Sequence, residues 1–277
     1  MADRSNVIVT IKPRNRPFDF DLKSLWAFRD LLLALAWRDI RLRYSQTALG
    51  VSWVLLQPLL GSFVFTLVFS LIARVPSNGV PYFFISYAGL VSWSLFGSSV
   101  TRISASLLAN AGLIRKVYFP RLILPLSGLP ASLLDFALGI VLLAVLAPLA
   151  GLPVGWGVLL IPLCILILCA VAVGIGVAAA AFSVDYRDVQ HIIPLVVQLL
   201  MYGSPVGYPI SMVPDKYRFW YMLNPLAAPI DTIRWAFTGV GGASLNELAY
   251  STLAALAILL AGIFLFRARE RRFADVI

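Results

Sequence analysis

The chain has 277 residues, of which 60% are hydrophobic and 13% are charged, and its mean hydropathy is +0.89. Soluble domains carry about a quarter charged residues, so this composition excludes a water-soluble globule. The net charge of +9 does not indicate a nucleic-acid partner, because cytoplasmic loops of membrane proteins are themselves enriched in Lys and Arg.

Three long runs, residues 44–73, 75–101 and 136–184, contain no charged residue. The hydrocarbon core of a bilayer is about 30 Å thick, and about 20 helical residues cross it. Amides inside lipid must bond within the protein, so a span is a helix or part of a closed barrel. Barrel strands alternate polar and apolar residues, whereas these runs are apolar on all faces. The sequence therefore predicts an all-α integral membrane protein.

The N-terminal segment, residues 1–51, begins with a polar stretch that we expect to be cytosolic, and residues 25–45 predict a helix. Trp37, Ile40 and Tyr44 recur at helical spacing on one face of it. Its second half is rich in charge. We therefore expect an amphipathic helix that lies in the membrane interface with its basic residues towards water. The charged and terminal residues of this predicted interface helix are Arg38, Asp39, Arg41, Arg43 and Tyr44.

Six transmembrane helices are predicted within a transmembrane domain of residues 52–266. Their expected bounds are 52–72, 82–104, 122–148, 157–182, 191–208 and 248–266. A basic cytosolic tail, residues 267–277, follows. Of the 22 Lys and Arg residues, eighteen fall on the side of both termini and four on the other side. The positive-inside rule then places both termini in the cytoplasm.

Two segments between spans carry further signals. Residues 109–121, between the second and third spans, combine an apolar edge with Arg115 and Lys116. A helix too short to span should dock onto the lipid surface or into a partner's groove. Residues 205–247, between the last two spans, are rich in aromatic residues and prolines and predict one or two short re-entrant or interfacial helices. An aromatic belt at the membrane surface is the alternative.

The sequence offers few residues that could bind ATP or a metal or act as a proton relay. It has no G-x-x-x-x-G-K-[ST] phosphate loop, and one histidine with the apolar-run cysteines Cys164 and Cys169 does not predict a metal site. Asp135 is the one carboxylate well inside a predicted span, where a charge needs a partner, a proton or water. It is either a relay or substrate contact, or a hydrogen bond that packs helices together.

Four stretches in this order resemble one family: residues 37–60 (beginning WRDIRLRYS), 110–125 (NAGLIRKVYFPRLILP), 182–189 (FSVDYRDV) and 204–237. They are similar to the membrane-spanning permease subunits of bacterial ABC exporters of the type-2 class, and within it to those for O-antigen, teichoic acid and related lipid-linked polysaccharides. The resemblance covers most of the chain.

The resemblance implies roles for particular residues. Residues 38–44 match the interface helix, and 205–237 match a periplasmic gate with Tyr208, Asn224, Pro225, Arg234 and Trp235. The residues that match a coupling helix, which touches a separate ATPase, are Asn110, Leu113, Ile114, Arg115, Lys116, Val117 and Tyr118. An aromatic channel lining would be drawn from Trp53, Phe63, Phe69, Tyr87, Trp93, Phe96 and Tyr202.

The resemblance also implies partners. The family works as a permease homodimer with two cytosolic ATP-binding subunits in the bacterial inner membrane, and the glycan passes between the permeases. ATP and Mg²⁺ would bind the partner ATPase, and this chain would bind no cofactor and catalyse no reaction itself. Three alternatives stay open: a permease for a small molecule or lipid, an ion- or proton-coupled carrier, and a membrane-embedded transferase.

Overall fold

A computed structural model describes residues 22–45, 50–75, 77, 79–270 and 273, and within them the regular structure is entirely helical. The all-α prediction is therefore confirmed for this part of the chain. The predicted polar lead-in up to residue 21 and most of the basic tail beyond 270 lie outside the described residues. The helices are α1 (Leu22–Ala27), α2 (Arg29–Tyr44), α3 (Ser52–Thr66), α4 (Tyr82–Ala109), α5 (Ala111–Lys116), α6 (Ile123–Ser127), α7 (Leu129–Leu149), α8 (Ile161–Asp185), α9 (Val189–Tyr202), α10 (Asp215–Met222), α11 (Ala227–Thr238) and α12 (Leu245–Glu270).

A π-helical stretch and a 3-10 turn extend α3 and α8. A π-helical stretch, Leu67–Ile72, continues α3, and a 3-10 turn, Trp156–Leu160, leads into α8. Pro162 stands in the first turn of α8, where the missing amide proton costs nothing. α11 ends at Gly239, whose φ of 69° is the left-handed conformation that glycine adopts without strain.

Five helical segments of the described chain are long and apolar enough to cross a membrane, one fewer than predicted. They are Ser52–Ile72, Tyr82–Ala109, Ile123–Leu149, Trp156–Asp185 and Leu245–Glu270. The predicted span at 191–208 contains only α9, whose 14 residues rise about 21 Å. This helix ends early because Gly203, Pro205 and Pro209 favour turns over helix.

The long helices share two ends, which we name by their residues. At one end, the Tyr82 hydroxyl donates to the Gly207 carbonyl oxygen over 2.7 Å, and the Gly155 amide donates to the Ala236 carbonyl oxygen over 3.1 Å. We call this the aromatic end. The first turns of α4, α8 and α12 lie at this end, together with the segment 203–242.

The opposite end carries the ends of α4, α8 and α12, together with α2 and α5. Arg269 of α12 donates to the Asp185 carboxylate of α8 over 2.8 Å, and Arg121 donates to the Glu270 carbonyl oxygen. We call this the basic end. α9 starts after Asp185 here and leads to Gly207 at the aromatic end, so this short helix joins the two ends.

α4 is the centre of the bundle. In the most apolar stretch of α4, 78% of the residues are buried. In the corresponding stretch of Ser52–Ile72, which lies at the rim, 6% are buried. α8 and α12 pack so closely that a Cβ at Gly262 would collide with the backbone of Gly174. Small residues allow helices in a membrane to approach in this way. The rim position of α3 and the exposure of α9 leave two apolar helices with open faces.

Candidate functional site

The predicted coupling segment is at the basic end, but its exposed apolar edge is narrower than expected. Its helix is α5, which covers six residues rather than all of 110–118. Leu113 and Ile114 pack partly against the apolar cluster around Leu107. Val117 and Tyr118, in extended chain after α5, are 51% and 67% exposed. Next to them, Arg115 and Lys116 are also exposed.

The predicted interface helix touches this segment directly. Arg38 Nη2 of α2 donates to Asn110 Oδ1 over 2.9 Å, and the same nitrogen donates to Asp39 Oδ1 over 2.8 Å. Asn110 is the residue between α4 and α5, and its side-chain amide donates to the Ser106 carbonyl oxygen. Arg41 is exposed. Arg38 therefore fixes the middle of α2 to the corner where α5 begins.

Asp135 joins α7 to the end of α2. Its carboxylate accepts from Arg43 Nη1 and, over 2.6 Å, from the Tyr44 hydroxyl, while Arg102 Nη2 of α4 lies 3.9 Å away. The Asp135 residue is only 8% exposed. Burial, followed by the hydrogen bond to Asp135, raises the pKa of Tyr44, which therefore stays a donor. Of the two interpretations of Asp135, these contacts favour a helix-joining role.

The predicted gate segment, 205–237, lies within a folded cap on the aromatic end, residues 203–242, that contains α10 and α11. The Tyr221 hydroxyl donates to the Tyr208 oxygen over 3.1 Å. Asn224 donates to the Ser204 hydroxyl over 2.8 Å and accepts from the Leu226 amide over 3.0 Å. Pro225 lies in the same turn, between these contacts and α11.

Arg234 is the anchor of this cap rather than an exposed gate residue. It is fully buried. Its Nη1 donates to Asp231 Oδ1 over 2.6 Å, and its Nε donates to the Ile85 carbonyl oxygen of α4 over 3.0 Å. Its Nη2 donates to the Pro205 and Val206 carbonyl oxygens. Burial lowers the pKa of Arg234, and the Asp231 carboxylate partly offsets this effect.

Asp231 was not among the site residues predicted from the sequence. Its second oxygen, Oδ2, accepts from the Gly242 amide over 2.8 Å, and Oδ1 also accepts from the Ile210 amide over 3.2 Å. Because residues three apart on a helix are neighbours, the spacing of Asp231 and Arg234 was the available signal. Arg234 was counted among the charges outside the spans, so its pairing with Asp231 on one helix was not predicted.

Trp235 connects the cap to the start of α8. Its ring packs edge-on against Trp156 with centroids 5.1 Å apart. A Cβ at Gly157 would lie 2.5 Å from the Trp235 ring, so only glycine allows this approach. Trp235 therefore packs within the chain, where the cap meets the start of α8.

The predicted channel aromatics fall into two groups. Tyr87, Trp93 and Phe96 are at most 6% exposed and lie in the apolar core around α4, where they pack against other residues of the same chain. Hydropathy could not separate them, because large apolar side chains occur on every face of α4. Phe69 is half-buried and stacks against Phe65 and Tyr82. The exposed members are Trp53, Phe63 and Tyr202.

Comparison with known proteins shows which family the chain resembles. Residues 30–238 match the profile of the family described as "ABC-2 type transporter". The chain is similar to the O-antigen export system permease protein RfbA of Myxococcus xanthus, with 29% identity over 92% of this chain and 98% of that protein. An RfbA of Klebsiella pneumoniae is 30% identical over 90% of this chain and 95% of that protein.

A third relative is the polysialic acid transport protein KpsM of Escherichia coli. It is 27% identical over 86% of this chain and 92% of that protein. The profile match extends from the start of α2 to the end of α11 and so includes α5, the central helix α4 and most of the cap. The chain is a multi-pass membrane protein that belongs to the ABC-2 type transporter family.

Proposed function

We propose that this chain is the channel-forming subunit of an ATP-driven exporter that moves a lipid-linked polysaccharide out of the cytoplasm. The observation that carries this proposal is similarity over nearly the whole chain to permeases named for O-antigen export and polysialic acid transport. Transport along these helices requires no catalytic group on the chain. ATP and Mg²⁺ would bind a separate cytosolic subunit.

The basic end would face the cytoplasm and carry the ATPase. The distribution of Lys and Arg, eighteen against four, supports this orientation and cytoplasmic termini in a bacterial inner membrane. Val117 and Tyr118 offer apolar surface next to Arg115 and Lys116. A short basic segment with exposed apolar side chains suits a groove on a partner protein.

A sixth crossing at α9 is part of this proposal. An even number of crossings is needed to keep both termini on one side, and α9 leads from the basic end to the aromatic end. Its 14 residues are short for a hydrocarbon core of about 30 Å, so the turns at 203–209, which are the first part of the cap, would complete the crossing.

Two copies of the chain would form the channel, with two ATP-binding subunits below. The open faces of α3 and α9 carry Trp53, Phe63 and Tyr202, which are 52%, 57% and 63% exposed. Flat rings offer sugars a sliding surface without fixing any one sugar tightly. Lipid would cover those parts of the rim that the second copy leaves free.

Deletion of the chain in its bacterial host tests the proposal. We expect surface polysaccharide, detected by staining or antibody, to disappear and to return with the chain supplied in trans. Purification of the tagged chain in mild detergent should bring a stoichiometric ATP-binding subunit with it. Normal surface polysaccharide in the deletion strain would contradict the substrate, and a chain that purifies alone would contradict the ATP-driven class.

A further inference from the structure

The Asp135 carboxylate lies between two arginines that come from different helices. Its Oδ2 accepts from Arg43 of α2 and is 3.9 Å from Arg102 Nη2 of α4. The second separation is within reach of an ion pair but too long for a hydrogen bond. Arg102 Nε is buried without a hydrogen-bond partner among the described residues. Arg43 thus donates to Oδ2, whereas Arg102 lies beside the carboxylate with its Nε donor unused among the described residues.

The helices that supply the two arginines are held very differently. α4 is the centre of the bundle, and most of its residues are buried. α2 is peripheral, and among its 16 residues only Leu35 and Ala36 are buried. Arg43 stands at the end of α2. If one of the two arginines is to leave Asp135, it is Arg43, together with α2.

We propose that Asp135 is a positioning residue that exchanges partners: Arg43, with the Tyr44 hydroxyl beside it, holds α2 against α7 in the state seen here, and Arg102 takes the carboxylate when α2 moves away. The proposal rests on the proposed function, because it is movement of the coupling segment that would displace α2. Arg38 provides the link, since its hydrogen bond to Asn110 makes α2 follow the corner where α5 begins.

Charge explains why a second arginine is needed. A carboxylate that loses its partner at this depth remains an uncompensated buried charge, which is strongly unfavourable. With Arg102 already 3.9 Å away, a small rotation of the Asp135 or Arg102 side chain restores a hydrogen-bonded pair. The arginine left over in either state can reach water, since the side chains of Arg43 and Arg102 are 29% and 28% exposed. Both states then have a paired carboxylate, and the barrier between them is lowered.

Distance measurement between α2 and α7 tests the exchange. Spin labels at Leu33 and Val141, both 60% exposed, would be attached in the full chain after Cys164 and Cys169 are replaced by serine. Pulsed electron paramagnetic resonance in lipid nanodiscs then gives the distance distribution. Arg29→Gln is the matched control, because Arg29 is also on α2 and contacts Asp30, not Asp135.

The two arginine variants should have opposite effects. Arg43→Gln should accumulate normally, because Asp135 still has Arg102, and should add a population with a longer distance. Arg102→Gln should show only the short distance and should lower export about tenfold, with Arg102→Lys restoring most of it. An unchanged distance in Arg43→Gln, its failure to accumulate, or normal export by Arg102→Gln would each overturn the exchange.

The distance measurement needs neither polysaccharide nor ATPase. It therefore tests the exchange of arginine partners independently of the proposed export function. A longer distance in Arg43→Gln supports the exchange even in a host where deletion of the whole chain leaves surface polysaccharide intact. That second result would overturn the proposed substrate alone. Loss of polysaccharide on deletion, with identical distances in all variants, would overturn the exchange alone.

Discussion

The guanidinium Nε of Arg234 donates a hydrogen bond of 3.0 Å to the carbonyl oxygen of Ile85, 149 residues earlier in the chain. This contact fixes α11 to the first turn of α4. With the bonds to Asp231, Pro205 and Val206, every nitrogen of the side chain has a partner. Together with the bond from the Tyr82 hydroxyl to the Gly207 carbonyl oxygen, Arg234 therefore attaches the cap on the aromatic end to α4, the central helix of the bundle.

Replacing Arg234 should unfold the cap. Arg234→Met leaves Asp231 as an uncompensated buried charge, for which we expect a loss of about 3–5 kcal/mol in stability. Arg234→Lys should recover little, because a compact ammonium cannot imitate the planar fork that reaches four oxygens. Thermal melting of the purified chain measures both. Arg218→Lys is the control, since its pair with Glu247 is 3.6 Å long and partly exposed; equal losses there would contradict the anchor.

A methyl group at Gly89 should disturb the same anchor. A Cβ there would lie 2.8 Å from Arg234 Nη2 and still closer to the Val206 carbonyl oxygen, which is backbone and cannot move aside easily. We expect Gly89→Ala to lower the melting temperature of the purified chain. Gly112→Ala on α5 meets nothing within 4 Å and should be neutral or raise stability by up to about 1 kcal/mol. A neutral Gly89→Ala would show that the cap is not pinned at this point.

Contact with the ATPase should depend on Val117 more than on Leu113 and Ile114, the partly buried residues of the coupling segment. Val117 is 51% exposed, so Val117→Asp should leave folding and membrane insertion intact while reducing both co-purification of the ATP-binding subunit and export. Ile114→Asp should also destabilise the chain, because Ile114 packs on the apolar cluster of the basic end.

A valine at the other end of the bundle provides the control for this prediction. Val154, 46% exposed in the turn before Trp156, is far from α5, and Val154→Asp should not affect the amount of ATP-binding subunit that co-purifies. If both aspartate variants bind the subunit as the parent chain does, the coupling surface lies elsewhere.

The exposed and buried aromatic residues should behave differently when they are shortened. Trp53→Ala and Phe63→Ala remove exposed rings, so export should fall while the melting temperature stays within a few degrees. Phe96→Ala removes a fully buried ring and should cost about 3–5 kcal/mol of stability. Quantified surface polysaccharide and thermal melting, measured on the same variants, check the distinction. Normal export by both exposed-ring variants would remove these residues from the channel.

Sequence determined the class of this protein because bilayer thickness and backbone hydrogen bonding leave few solutions. Uncharged runs of span length require helices, and five predicted spans coincide with long apolar helices within a few residues at most ends. The four stretches 37–60, 110–125, 182–189 and 204–237 together predicted the family. For the span at 191–208 the hydropathy was sufficient, but local turn chemistry at Gly203, Pro205 and Pro209 shortened the helix.

Tertiary structure alone decided which side chains meet. Asp135 finds Arg43 about 90 positions away, and Arg234 finds Ile85 at still greater separation; no local period encodes such pairs. It also decided which aromatic rings are buried, because a helix that is apolar all round shows no preferred face in its sequence. Burial of Tyr87 and Phe96 and exposure of Trp53 and Phe63 follow from α4 being central and α3 being at the rim, which only the packing of the helices determines.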